Sequence, residues 1–137
     1  MFFSDKNNNS QNELAKIAAL LIHVAKIDQD FSRKEEEIIE KTMLEIGATN
    51  KNVKEIMNVA KEMENNSNQI LDFTKKVKAM NEEDKVKIIE ALWKIIYSNN
   101  EADIYETSLM RRLGGLLYID NKVMGDIKAK VQKQKTQ

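Results

Sequence analysis

Hydrophobic residues recur every three or four positions along most of this chain, which is the spacing of a helix with one buried face. In the first such segment, from Asn12 to Ile27, the buried stripe is predicted to be Leu14, Ile17, Ala18, Leu21, Ile22 and Ala25. Six more segments follow with the same periodicity, at about 32–46, 50–65, 70–80, 81–96, 103–117 and 121–132. The pattern predicts a compact, all-α bundle of about seven helices.

The ends of the chain differ in composition from this helical body. Residues 1–11 are rich in Asn, Ser and Asp and are expected to form a flexible leader, and residues 133–137 a flexible tail. Residues 12–132 are then a single helical domain. The third and fourth segments are separated only by Asn and Ser residues, so one long bent helix is an alternative there.

The pattern around the first connection between helices returns 71 residues later. Asp28 and Glu35 correspond in this register to Asn99 and Glu106, and the flanking hydrophobic positions also correspond. We therefore predict an internal duplication in which segments 14–46 and 85–117 share one helix–elbow–helix structure.

Capping signals mark the start of several helices. Ser32-Arg-Lys-Glu35 predicts a capping box, in which the serine hydroxyl and the glutamate carboxylate accept each other's backbone N–H. Asp103-Ile-Tyr-Glu106 predicts a second box, and Asn81 is predicted to cap the fifth helix. Gly47 is the residue type expected just after the end of the second helix.

Both elbows carry closely spaced side chains with oxygen atoms, which could converge on a hard divalent cation such as calcium, magnesium or manganese. The candidate ligands are Asp28, Asp30, Ser32 and Glu35 in the first elbow, and Asn99, Glu101, Asp103 and Glu106 in the second. Neither elbow is an EF-hand loop, because Arg33 and Ile104 occupy the position that requires glycine. The alternative is that these groups only cap helices.

Composition narrows the possible functions. The chain has no cysteine and no proline, and 22 basic residues balance 22 acidic ones, which disfavours a thiolate site and a nucleic-acid interface. It contains no predicted membrane span or signal peptide, so we expect a cytoplasmic protein. The single histidine, His23, is expected to be an exposed titrating residue, because no orienting partner is evident for a catalytic role.

The elbow pattern, and especially the stretch Leu92–Leu117, resembles the tellurite-resistance TerB-like family over about Leu14–Lys128. The resemblance implies a bundle of about seven helices whose acidic elbow positions are proposed to bind a divalent metal. Asp28, Glu35 and Glu106 match those positions. Gln29 and Asn100 replace the elbow glycine, and Asn99 replaces the second aspartate.

We therefore expect a non-enzymatic module that binds a divalent cation and acts through protein partners in a stress response of the tellurite-resistance type. A purely structural or homo-oligomerising domain without a ligand is the alternative. A metal-dependent enzyme is less favoured, because the sequence contains neither a phosphate-binding loop nor a nucleophile–base pair.

Overall fold

The computed structural model describes the backbone of residues 2–28, 31–66, 71–98 and 104–136, with side chains for 11–27, 31–66, 71–98 and 107–134. This part of the chain forms seven α-helices and no strand, which confirms the predicted class. The helices are α1 (Phe2–Ala25), α2 (Arg33–Glu45), α3 (Val53–Asn66), α4 (Leu71–Lys78), α5 (Glu82–Tyr97), α6 (Ile104–Leu116) and α7 (Asn121–Thr136). A 3₁₀ turn, Lys26–Asp28, follows α1.

Two helices, α1 and α5, form the centre of the bundle. Helix α1 packs against α2, α3, α4 and α5, while α5 also packs against α2 and α7. The buried surface of α1 is wider than the predicted stripe, because Ala19, Leu20 and Val24 are buried as well. A helix that is apolar on nearly all sides is stable only when other helices surround it, which explains its central position.

The starts of α2 and α5 are the predicted ones. Asn81 caps α5, since its side-chain oxygen accepts the Asp84 N–H at 2.8 Å. The third helix is preceded by a reciprocal pair that was not predicted: Thr49 N–H donates to Asn52 Oδ1 and Asn52 N–H donates to Thr49 Oγ1. Asp120 accepts the Lys122 N–H at the start of α7, as expected of a cap.

The outer helices extend beyond their predicted limits. Helix α1 begins at Phe2 rather than Asn12, and α7 continues to Thr136 rather than ending at Lys133. Adding residues to an existing helix costs far less than nucleating one, so polar segments of low propensity can continue it. The flexibility predicted for residues 1–11 and 133–137 stays a prediction.

Helices α2 and α6 end in the same way. Gly47 (φ +136°) and Tyr118 (φ +58°) both have positive φ, and they are 71 residues apart. The next residue closes the helix end in each case, because Ala48 N–H donates to Met43 O and Ile119 N–H donates to Gly114 O. These matching ends agree with the predicted duplication of 14–46 and 85–117, which itself stays a prediction.

Gly114 has a packing role near the end of α6. A Cβ atom at this position would lie 3.2 Å from Met124 Cε on α7, so glycine allows the two helices to approach closely. Among the described residues, no helix is both long enough and apolar enough to span a bilayer.

Candidate functional site

The first elbow joins the end of α1 to the start of α2, and its second half is fixed by the predicted capping box. Glu35 N–H donates to Ser32 Oγ at 3.2 Å, and Ser32 N–H donates to Glu35 Oε1 at 2.9 Å. These two bonds hold the Glu35 carboxylate against the backbone of the elbow. The capping prediction for Ser32 and Glu35 is therefore confirmed.

Glu35 is unusual for a glutamate because it is only 1% exposed. Its Oε1 atom accepts the Ser32 N–H, while its Oε2 atom accepts no hydrogen bond from the described residues. An ionised carboxylate that is buried with one oxygen unpaired is costly unless a cation or a donor approaches it. The donor chemistry at this position therefore fits a hard cation.

The other predicted ligands lie outside the described side chains. This holds for Asp28, of which only the backbone is described, and for Asp30, Asn99, Glu101, Asp103 and Glu106. Their convergence on one ion stays a prediction. Among the described residues, no group of three or more His, Asp or Glu side chains is placed to hold a metal.

A charge cluster beside the first elbow is invisible in the sequence, because it joins residues 38 and 41 positions apart. Lys26 Nζ donates to Glu64 Oε2 at 2.7 Å, and His23 Nδ1 lies 3.4 Å from Glu64 Oε1. Glu64 is on α3 and its side chain is only 10% exposed. His23 thus has an acidic neighbour that sequence reasoning did not find, and it is half-buried rather than fully exposed.

A second pair ties α3 to the start of α2. Lys61 Nζ lies 2.8 Å from Glu36 Oε1, the residue that follows the buried Glu35. The same ammonium lies 6.0 Å from the centroid of the Phe31 ring, at the outer limit of a cation–π contact. Helix α3 therefore supports both sides of the elbow and positions the backbone from which Glu35 projects.

In the second half of the chain, Trp93 and Tyr118 are the aromatic residues with unusual surroundings. Trp93 is buried, as predicted, but its indole N–H has no hydrogen-bond partner. Tyr118 is exposed, and Lys78 Nζ lies 4.1 Å from the centroid of its ring. A hydrogen bond with Lys78 and the positive charge of that ammonium lower the pKa of Tyr118 from its ordinary value.

The comparison with known proteins agrees with the fold and the elbow pattern. Residues 14–129 match the family model described as "Tellurite resistance protein TerB". No curated protein and no solved structure shows significant similarity to this chain. The match covers most of the sequence, including both elbows and all helices from the body of α1 to the greater part of α7. The chain belongs to the TerB family of tellurite resistance proteins.

Proposed function

We propose that this protein is a non-enzymatic, cytoplasmic helical module whose first elbow binds a divalent cation. The observation that carries the proposal is Glu35, a buried carboxylate with one oxygen unpaired among the described residues. Asp28 and Asp30 precede it in the elbow and would supply further oxygen ligands. The capping box would orient Glu35 before the ion arrives, so the site needs little rearrangement on binding.

The second elbow is proposed as the weaker site. Asn99 stands where the first elbow has Asp28, so one carboxylate is lost, and hard cations favour negatively charged oxygen ligands. Glu101, Asp103 and Glu106 are the remaining candidates there. Calcium, magnesium and manganese are the ions to test.

Through this site the module would act on protein partners in a stress response of the tellurite-resistance type. The family description supports the stress-response part of the proposal. The alternative, a purely structural or self-associating domain, is supported by the fact that capping already uses one oxygen each of Ser32 and Glu35. Sedimentation analysis separates these functions, because cation-dependent dimerisation would favour self-association and a cation-bound monomer would favour other partners.

Calorimetric titration of the metal-free protein with calcium, magnesium and manganese tests the cation site. Glu35→Gln is the informative variant, because the amide oxygen can still accept the Ser32 N–H while the charge is removed. Glu37→Gln is the matched control, since Glu37 lies on the same helix but its side chain is 67% exposed and pairs with Arg33. We expect binding by the wild type and Glu37→Gln and its loss in Glu35→Gln. Equal binding heats in all three proteins would contradict the site.

A further inference from the structure

A separate pocket lies between α5, α6 and α7, away from the described part of the first elbow. Its volume is about 370 Å³. The described residues that line it are Trp93, Thr107, Arg111, Asn121, Met124, Gly125 and Lys128. Trp93 and Met124 form the buried part of the wall, whereas Arg111 and Asn121 are at the exposed rim. A pocket with an apolar wall and a few polar groups is the usual form of a small-ligand site.

The charged groups of this pocket all have the same sign. Arg111 and Lys128 contribute two positive charges, and none of the described lining residues is acidic. Neither cation has an ion-pair partner among the described residues; the Lys128 ammonium instead lies 5.2 Å from the centroid of the Trp93 ring. Because the whole protein has a net charge of +0, this local excess is not a consequence of a generally basic surface.

The pocket wall also contains an unused hydrogen-bond donor. The indole nitrogen of Trp93 is the one buried side-chain polar atom without a partner in the described part of the chain. Leaving such a group unpaired is costly, so an unpaired donor in a folded protein calls for an explanation. An acceptor atom brought by a ligand would provide one.

Comparison with the positions 71 residues earlier shows what is different here. Arg111 corresponds to Glu40 and Gly125 to Lys54, and in the first half these two side chains form an ion pair of 3.0 Å between α2 and α3. In the second half the lysine is replaced by glycine, which leaves open space, and the acid by arginine. The gap between α6 and α7 is therefore neither filled nor neutralised by the protein's own side chains among the described residues.

We propose that this pocket binds a ligand that carries an oxyanion group, either a phosphate or a carboxylate. The Arg111 guanidinium would make paired hydrogen bonds to two oxygens, and Lys128 would supply a second charge. The Trp93 N–H and the Thr107 hydroxyl are the neutral donors within the same lining. The site goes beyond the proposed cation function and does not depend on it.

Because Trp93 is the single tryptophan, its indole N–H gives one unambiguous signal in a proton–nitrogen correlation spectrum. The protein is titrated with inorganic phosphate and, separately, with acetate, each against sodium chloride at equal ionic strength. We expect a saturable shift of the indole signal with phosphate, acetate or both, and the effective anion identifies the ligand group. Shifts no larger than those caused by chloride would overturn the proposal.

Two variants test whether the named residues form the site. Arg111→Gln should weaken anion binding roughly tenfold, the effect of losing one charge-assisted hydrogen bond. Arg112→Gln is the matched control, because Arg112 is adjacent and exposed but does not line the pocket. Equal anion affinities for these two variants would contradict the assignment.

Gly125→Glu provides a second, independent test. A side chain at this position meets open space, and the new carboxylate would face Arg111 as Lys54 faces Glu40 in the first half. We expect this internal acid to abolish the response to the anion while the helical circular dichroism is retained. A response equal to that of the wild type would show that the anion binds elsewhere.

Discussion

The most direct structural prediction concerns the Ser32 cap. Ser32→Ala removes the hydroxyl that accepts the Glu35 N–H at 3.2 Å, but it leaves the Ser32 backbone N–H that donates to Glu35 Oε1. Only one of the two capping bonds is therefore lost, and the half-buried position allows water to reach the freed N–H. We expect the free energy of unfolding to fall by roughly 1 kcal/mol.

Urea denaturation followed by far-ultraviolet circular dichroism measures this change, and it should be performed without added metal. For a domain of this size, a loss of that magnitude lowers the melting temperature by about 3–5 °C. Ser108→Ala is the matched control, since Ser108 is exposed within α6 and alanine has the higher helix propensity there. The control should be neutral or slightly stabilising.

An unchanged midpoint for Ser32→Ala, or a change equal to that of Ser108→Ala, would refute the capping explanation. Combining Ser32→Ala with Glu35→Gln then separates the two halves of the box. Because the two residues share the same bonds, the double variant should lose less stability than the sum of the single variants.

Two further predictions concern backbone conformation and a titrating side chain. Gly47→Ala should destabilise the protein by roughly 1 kcal/mol or more because φ is +136°, whereas Gly125→Ala, in open space within α7, should stabilise it by up to about 1 kcal/mol; chemical denaturation of both variants checks this, and shifts of the same sign would contradict it. Tyr118 should ionise at a lower pH than an ordinary tyrosine, and Lys78→Gln should raise its pKa again. Since the pKa of this acid is lowered on folding, the linked stability is present at alkaline pH and is lost as the pH falls through the folded pKa, so none remains at neutral pH. Tyrosinate absorbance of the wild type, corrected with Tyr118→Phe, measures the pKa; identical titration curves for wild type and Lys78→Gln would contradict the role of Lys78.

Local signals in the sequence predicted much of this structure. The capping residues Ser32 and Asn81 and the terminating Gly47 are at their predicted places, because each acts on backbone groups within a few positions. The end of α6 was harder to predict, since Tyr118 rather than glycine adopts the positive φ. The 71-residue correspondence with Gly47 is the signal that could have indicated it.

Contacts between distant helices could not be predicted in the same way. The Glu64 cluster with His23 and Lys26 depends on how α3 packs on α1, and no local pattern encodes that packing. The unpaired N–H of Trp93 was missed for the same reason, since burial of a tryptophan could be predicted but the absence of an acceptor could not. The ligand set of the elbows stays a prediction beyond Ser32 and Glu35.

The central claim is that the first elbow binds a divalent cation through Asp28 and Glu35. Thermal denaturation in millimolar calcium, magnesium and manganese tests it most directly, because a cation at ten times its Kd stabilises the folded state by about 1.4 kcal/mol. Asp28→Asn should remove most of this stabilisation while leaving the metal-free melting temperature nearly unchanged, and Asn99→Asp should strengthen the second elbow. A wild-type melting temperature that none of the three ions raises would contradict the claim.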